Sequence, residues 1–530
     1  MEHSDFEIPM MTCAQAKSWE KRFFNPENHS SEPPPRERDF MVRAGNGIGE
    51  FILKRLKNRV PAHLLALVGK GHNGGDALIA TRKILNAFPE NSVPVKLVFF
   101  AENWDELAPL TMDAYEDFLR DCGNVPTFFA SKNQTESLDA FLPREKGGIV
   151  IDGIYGHGFR PPLREHVLRA LTAINALAPE NLCVAVDLPS GMSDAPFPYY
   201  AFSADFTCAT GIVKTPLLVP ANEKYVGRAT PIPIGFPAET RFPCAADTQK
   251  VLRRIPRKRP IFCDKRSFGH ALIVGGSRTM PGALMLNALA ALQAGAGLVS
   301  VLCPESVHAA FAARAPGAMW IPCKETPEGS LDLRDTIAKF RKYSAKATCV
   351  LCGSGMGDSS DAIGIIQTIA AETPTQSALI LDADALRKET LTALRRNGEN
   401  MLLPHHGEFI RLGGNIRNPE TFLPERPVSA LALKGAYTQI LSAEEQIYTF
   451  AGTPALARGG SGDVLAGITA ALFAERGLRP QITATDLLTQ AVCWHGAAAQ
   501  IWEDAAGTRS ANIAALPDYL GAALERSDIF

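Results

Sequence analysis

The residues most able to do chemistry sit in Ala457–Gly467, which reads ARGGSGDVLAG. Its glycines leave backbone N–H groups open to a ligand. The apolar run behind them reads as a helix whose positive end faces the same spot. Together they make an anion hole, with Gly462 inside it and Asp463 at its mouth. As a plain N-terminal charge, Asp463 would stabilise the helix by about 0.3–1 kcal/mol. As a base it would take a proton from a substrate hydroxyl while the amides hold a phosphoryl group. Other loops favour the base. Lys434 leads Gly435, Ala436, Tyr437 and Thr438, a lysine-and-hydroxyl turn suited to nucleotide phosphates. GGSRTMPGA (275–283), CGSGMG (352–357), DADAL (382–386) and LPHHGEF (403–409, with His405, His406 and Glu408) each follow an apolar run. Strand-end loops of this kind converge on one cleft in an open α/β sheet. No GxxxxGK[ST] loop is present, so phosphate must be held by the glycine–helix anion hole.

A second set lies upstream. GHNGGD (71–76) follows an apolar run and opens a helical pattern, with Asp76 at the predicted helix start. VIDGIYGHGFRPPL puts Asp152 at a strand end, and VAVDLPSGM does the same for Asp187 and Ser190. Asn73, Asp152, Ser190 and nearby carbonyls form a hard-oxygen set, which suits K⁺ better than zinc.

Both sets need strands to carry them. HLLALVG, VKLVFF, GGIVIDG and CVAVDLPSG alternate with helical patterns. After the basic, proline-broken connector RRIPRKRPIF the alternation restarts with HALIVGGS, GLVSVLCP, CVLCGSG and ALILDADAL. That pattern predicts two α/β domains built on parallel sheets, residues 1–245 and 246–530. A length of 530 residues allows this. Net charge is −2, so there is no basic field for nucleic acid or an anionic membrane. The N-terminus MEHSDFEIPM has no apolar core and is not read as a signal peptide. Residues 283–302 are uncharged and as long as a membrane span, but Asn287, Gln293 and a GAG break divide them into buried helix, turn and strand. Eleven scattered cysteines form no disulfide framework, and the pair Cys349 and Cys352 reads as buried thiols in a cytoplasmic protein.

Residues 262–520 resemble the ribokinase-like fold, and closely its ADP-dependent NAD(P)H-hydrate dehydratase branch. The match lies in HALIVGGS, PGALMLNALAALQAGAGLV, DADAL, PHHGEF, KGAYT and GTPALARGGSGDVLAG. The resemblance implies that Ala283, Gly355, His405 and Asp463 face the hydrated nicotinamide. Lys434, Gly435, Ala436, Tyr437, Thr438 and Gly462 would face the adenine nucleotide. ADP would be the co-substrate, with Mg²⁺ expected and no ligand assigned to it. Asp463 would be the base. Residues 10–240 resemble the NAD(P)H-hydrate epimerase domain, a Rossmann-like three-layer sandwich, on GHNGGD, IDGIYGHGF, DLPSGM and TGIVKTPLL. This implies a hydrate site of His72, Asn73, Gly74, Gly75, Asp76, Gly156, His157, Gly158, Phe159, Arg160, Pro161, Pro162 and Asp187. Asp187 would be the acid/base, with Lys214 a weaker candidate, and K⁺ would bind Asn73, Asp152 and Ser190. The substrates implied are the hydrates NADHX and NADPHX, handled by a cytoplasmic homo-oligomer without nucleic-acid or membrane partners. Two rivals stand beside this. One is a ribokinase-like small-molecule kinase. The other makes the N-terminal domain a non-catalytic nucleotide-binding module.

Overall fold

Runs rich in Val, Ile and Leu form largely parallel strands in the computed structural model, which describes residues 7–28, 35–90, 92–131, 135–196, 200–237, 243–395, 397–424 and 426–526. Part of the proline-rich stretch after Pro26 and of the segment closing the first unit lies outside these residues. The chain divides into two compact units, Met1–Ala245 and Ala246–Phe530.

The strands of unit 1 are β1 (Glu7–Met11), β2 (Leu64–Val68), β3 (Val95–Phe99), β4 (Thr127–Phe129), β5 (Ile149–Gly153), β6 (Leu182–Val186), β7 (Phe206–Thr210), β8 (Val213–Lys214) and β9 (Arg228–Ile232). Seven of them form a parallel sheet in the order β4-β3-β2-β5-β6-β7-β9. Separately, β1 pairs in parallel with β8. Side chains alternate across the pleat, so Leu64, Ala66 and Val68 pack under helices α1 (Cys13–Phe23), α2 (Glu37–Leu56), α3 (His72–Leu85) and α4 (Pro109–Cys122). Leu65 and Leu67 pack on the other face with α5 (Thr135–Phe141) and α6 (Glu165–Asn175). Those are three layers. β2 has β3 on one side and β5 on the other, so the loops after β2 and β5 diverge and open a crevice.

Unit 2 carries, after β10 (Cys244–Ala246), the strands β11 (His270–Val274), β12 (Leu298–Pro304), β13 (Met319–Cys323), β14 (Cys349–Cys352), β15 (Ala378–Leu381), β16 (Asn400–Leu402), β17 (Ala430–Leu433), β18 (Thr438–Leu441) and β19 (Gln446–Thr449). β13-β12-β11-β14-β15-β16-β17 are parallel neighbours. The next two strands depart from the expected all-parallel sheet, because β17-β18-β19 run antiparallel. The connection from Leu433 to Thr438 is too short for a crossover helix and can only make a hairpin. The apolar stretch at 283–302 is divided between helix α7 (Pro281–Gln293) and β12. Helix α9 (Ser461–Ala474) packs on β11, β14 and β15 and crosses α7 closely. At that crossing a Cβ on Gly467 would stand 2.3 Å from the Asn287 carbonyl oxygen, so only glycine fits.

Candidate functional site

The predicted loops of unit 2 do gather at the carboxyl ends of β11, β14, β15, β16 and β17. Asp463 lies in the first turn of α9, whose N-cap Gly460 takes φ 90° and offers no side-chain cap. Asn287 on α7 donates from Nδ2 to the Asp463 carbonyl at 2.8 Å, fixing this turn against its neighbour. Burial and the Asp382 charge push the Asp463 carboxyl up to about 6, against the nearby Ser354 hydroxyl and the charge of Lys434. Such a group is still ionised near neutral pH and is a stronger base than a solvated aspartate. Lys434 Nζ donates to Asp382 Oδ1 at 2.7 Å and lies within 3.2 Å of where a Gly462 Cβ would stand. A side chain at Gly462 would therefore press on the ammonium. Gly353 and Gly355 have φ of 129° and 67°. A Cβ on Gly353 would lie 1.9 Å from the Asp382 carbonyl oxygen, and one on Gly355 would lie 3.5 Å from Ala283 Cβ. The loop after β14 thus meets the Asp382 loop on one side and Ala283 on the other.

Two expected residues are spent on local structure. His405 caps helix α8 (His406–Arg411): its Nδ1 accepts from the N–H groups of Gly407 (3.0 Å) and Glu408 (3.2 Å). Glu408 completes the capping box by accepting from the His405 N–H at 2.8 Å. Thr438 Oγ1 donates to the Gly435 carbonyl at 3.3 Å, closing its own turn, and the Tyr437 ring packs on Phe450. The turn Lys434–Thr438 is a hairpin corner that keeps Ala436 beside Gly452. The sequence did not single out His495 on helix α10 (Ala484–Ala506). It is fully buried, and desolvation with the nearby Lys434 lowers it to about 4, so it is neutral.

In unit 1 a cavity of about 550 Å³ opens at the β2/β5 switch. His72, Asn73, Asp76, Gly156, His157, Gly158, Phe159, Arg160, Pro162 and Asp187 line it; Gly74, Gly75 and Pro161 do not. A Cβ on Gly74 would fall 2.2 Å from the Gly69 carbonyl oxygen, and one on Gly75 would fall 2.7 Å from Met41 Sδ. These glycines let α3 close on β2 and α2. Gly69, Gly71 and Gly74 stand at GxGxxG spacing, a sequence signal for such a turn. Asp76 is not at the helix start but in the second turn of α3, where Oδ1 has no hydrogen-bond partner. Burial and the Asp187 charge raise its carboxyl well above the usual range, which favours the protonated form.

Asp187 closes β6 with φ 66°, a rare backbone state for a non-glycine residue. Burial opposes its ionisation, but Lys214 and His157 outweigh burial and hold it well below the usual carboxylate range. Lys214 Nζ donates to Oδ1, Thr210 Oγ1 donates to Oδ1 at 3.2 Å, and His157 N–H donates to Oδ2 at 3.1 Å. Beside this pair, Asp152 Oδ1 accepts from Ser190 Oγ (2.6 Å) and Oδ2 accepts from Ser190 N–H (2.7 Å). Desolvation raises Asp152 to about 6 despite these bonds. Asn73 Nδ2 donates to the Val186 carbonyl at 3.1 Å, which leaves its amide oxygen for other partners. Asn73, Asp152 and Ser190 are therefore brought to the ends of α3, β5 and β6. Glu20 and the Phe24–Phe40–Phe236 ring cluster also line the cavity. No motif marked them. Glu20 betrays itself only as a charge on the inward stripe of α1, four residues after buried Ala16.

Comparison with known proteins adds the following. The NAD(P)H-hydrate dehydratase family matches residues 271–521, and the YjeF-related protein N-terminus family matches residues 37–216. A bifunctional NAD(P)H-hydrate repair enzyme Nnr of Thermosynechococcus vestitus is 30% identical over 489 residues, covering 88% of this chain and 89% of its own. The protein of the same name from Gloeobacter violaceus is 32% identical, covering 82% and 83%. A solved ADP/ATP-dependent NAD(P)H-hydrate dehydratase from Bacillus subtilis is 24% identical, covering 53% of this chain and 97% of its own, with a TM-score of 0.44.

Proposed function

The chain belongs to the bifunctional NAD(P)H-hydrate repair enzymes, and from that membership we propose how its two units divide the work. Residues 1–245 interconvert the R and S hydrates of NADH and NADPH. Residues 246–530 dehydrate the S hydrate at the expense of ADP, yielding NAD(P)H, AMP and phosphate. One observation carries the second assignment: a base raised by burial, Asp463, stands in the first turn of a glycine-opened helix beside Lys434. Hydroxide is a poor leaving group. Asp463 removes the proton of the hydrate hydroxyl, and that oxygen attacks the β-phosphorus of ADP, whose bond to the bridging oxygen breaks as AMP leaves with the electron pair. The N–H groups at the start of α9 and the Lys434 ammonium stabilise charge on the transferring phosphoryl group. Phosphate then leaves, driven by the ring nitrogen's electron pair, and the neighbouring ring carbon gives up a proton, whose bonding pair restores the ring double bond. Ala283 and Gly355 form the wall for the hydrated ring, and the hairpin turn Lys434–Thr438 borders the adenine nucleotide. Among the described residues no ligand is assigned to Mg²⁺; Asp382 accepts from Lys434, and Asp384 from the Gly357 N–H. No step is assigned to the metal.

In unit 1 the hydrate occupies the cavity around Asp187, with protonated Asp76 as a hydrogen-bond donor. Asn73, Asp152 and Ser190 would hold K⁺. In support, Asp152 is fully buried and no cationic side chain among the described residues pairs with it. When bound, K⁺ supplies the positive charge that Asp152 lacks. Among the described residues no three His, Cys, Asp or Glu gather as a metal cluster. No described helix is long and apolar enough to cross a membrane. The described cysteines form no disulfide, and cytoplasmic placement is part of the proposal. Homo-oligomer formation belongs to the same proposal, and light scattering tests it.

Purified protein incubated with mixed hydrates tests the whole assignment. Full recovery of nicotinamide absorbance with ADP is expected. Recovery that stops at the S fraction would refute the epimerase. Phosphate transfer to another alcohol without recovery would favour a small-molecule kinase.

A further inference from the structure

Asp187 is badly placed to carry protons. Four donors saturate its carboxylate: Lys214 Nζ and Thr210 Oγ1 on Oδ1, and the N–H and Nδ1 of His157 on Oδ2. A carboxylate has about four lone-pair sites, so none is left for a substrate hydroxyl. Lys214 is fully buried and spends its ammonium on Asp187 and on the Thr210 carbonyl at 3.1 Å. The His157 ring reaches the other way as well. Its Nε2 stands 3.2 Å from Glu20 Oε2, so each ring nitrogen faces a carboxylate. Burial opposes a charged ring, yet the hydrogen bonds to Asp187 and Glu20 overcome it and push His157 up to about 9.

Glu20 differs from Asp187 in each respect. It lines the cavity, its side chain is 25% exposed, and its Oε1 has no hydrogen bond among the described residues. Two devices hold it there. Cys13, Ala16 and Glu20 share the inward stripe of α1. The first turn of α1 is anchored by Asp194, whose Oδ1 and Oδ2 accept from the N–H groups of Cys13 (2.8 Å) and Ala14 (2.9 Å). Asp194 belongs to the loop that carries Asp187 and Ser190.

We propose that Glu20 is the catalytic residue that exchanges a proton with the hydrate hydroxyl in the unit 1 cavity, and that His157 is the positioning residue tying it to the Asp187–Lys214 pair. This rests on the epimerase assignment of unit 1. The dihydronicotinamide ring is an enamine, so added water places its hydroxyl on the carbon next to the ring nitrogen. The two hydrates differ at that carbon. Glu20 takes the hydroxyl proton, and the oxygen's electron pair makes a C=O bond. The C–N bond breaks with its pair moving to nitrogen, where the carboxamide-bearing double bond delocalises it. Glu20 then returns the same proton to nitrogen. Rotation about the adjoining C–C bond presents the other carbonyl face, and the reverse steps close the other epimer. Nothing is oxidised or reduced and no water is consumed.

The test uses the full chain and pure R hydrate without nucleotide, with epimer exchange followed by chromatography above the spontaneous rate. E20Q should lower kcat for exchange by about 100-fold with KM nearly unchanged, and E20D should recover part of it. H157Q should lose roughly tenfold, and E20Q/H157Q should be no slower than E20Q, because His157 acts through Glu20. E20Q at near-normal kcat with D187N inactive would overturn the proposal, as would losses that multiply in the double variant. If E20Q does not fold, wild-type activity in E20D/H157Q overturns it equally. A wild-type chain with no exchange activity would instead refute the epimerase assignment itself.

Discussion

Asp463 and Asp187 are both buried aspartates at the mouth of a sheet, yet their surroundings drive them apart. Asp463 faces like charge from Asp382 and is raised to about 6, whereas Asp187 is paired with Lys214 and His157 and lowered. Dehydration needs Asp463 ionised, so its rate should climb as pH rises through about 6. D463N should lower kcat for dehydration by about 10²-fold or more. It should also stabilise the chain at pH 7. A raised carboxyl favours the fold in its neutral form, so stability is lost as pH rises from the unfolded value of 3.8 through about 6. Removing that charge should return about 2 kcal/mol, read from denaturant melts at pH 7. Asp152 offers a second test at this scale. K⁺ should raise the unit 1 melting temperature over a choline control, and D152N should abolish the response. An equal response in D152N would place any K⁺ site elsewhere.

Among elements, the decisive parts are the ones that hold loops in register. The Asp194 cap on α1 joins the Asp187 loop to the helix bearing Glu20. D194A should cost about 1 kcal/mol of unit 1 stability. It should also slow epimer exchange and leave dehydration of the S hydrate at its normal rate. An exchange rate as high as wild type would mean that α1 is held by its apolar face alone. In unit 2, Gly353 occupies a backbone state that side chains avoid, with the Asp382 carbonyl where a Cβ would go. G353A must push the Asp382 loop outward. A loss of dehydration well beyond any loss of stability is expected, measured as kcat against the unfolding free energy.

For the whole molecule, the chain divides into two compact units, and each carries its own chemistry-bearing loops at the ends of parallel strands. Their chemistry is therefore expected to be separable. D463N protein should still exchange epimers, and E20Q protein should still dehydrate the S form. Mixed together with ADP, they should recover an R and S mixture completely, because the S hydrate released by one is the substrate of the other. A mixture that stalls at the S fraction would show that intermediate does not pass between molecules.

The alternation of apolar runs with helical patterns was enough to read two α/β units, and the sequence also pointed to Asp463 behind a glycine loop and to Asp152 and Asp187 at strand ends. Strand ends are local features, so a one-dimensional pattern can carry them. The antiparallel β17-β18-β19 edge was legible too, had the short Lys434–Tyr437 connection been weighed against the length of a crossover. What the chain alone could not tell is which charge meets which. Glu20 and His157 are 137 positions apart, Lys434 and Asp382 are 52 apart, and nothing in either neighbourhood names its partner. Protonation follows from burial and from such long-range pairs. For that reason Asp76 and Asp187, both expected only to bind or to act on a substrate, are shifted in opposite directions once the fold encloses them, Asp76 upward and Asp187 downward.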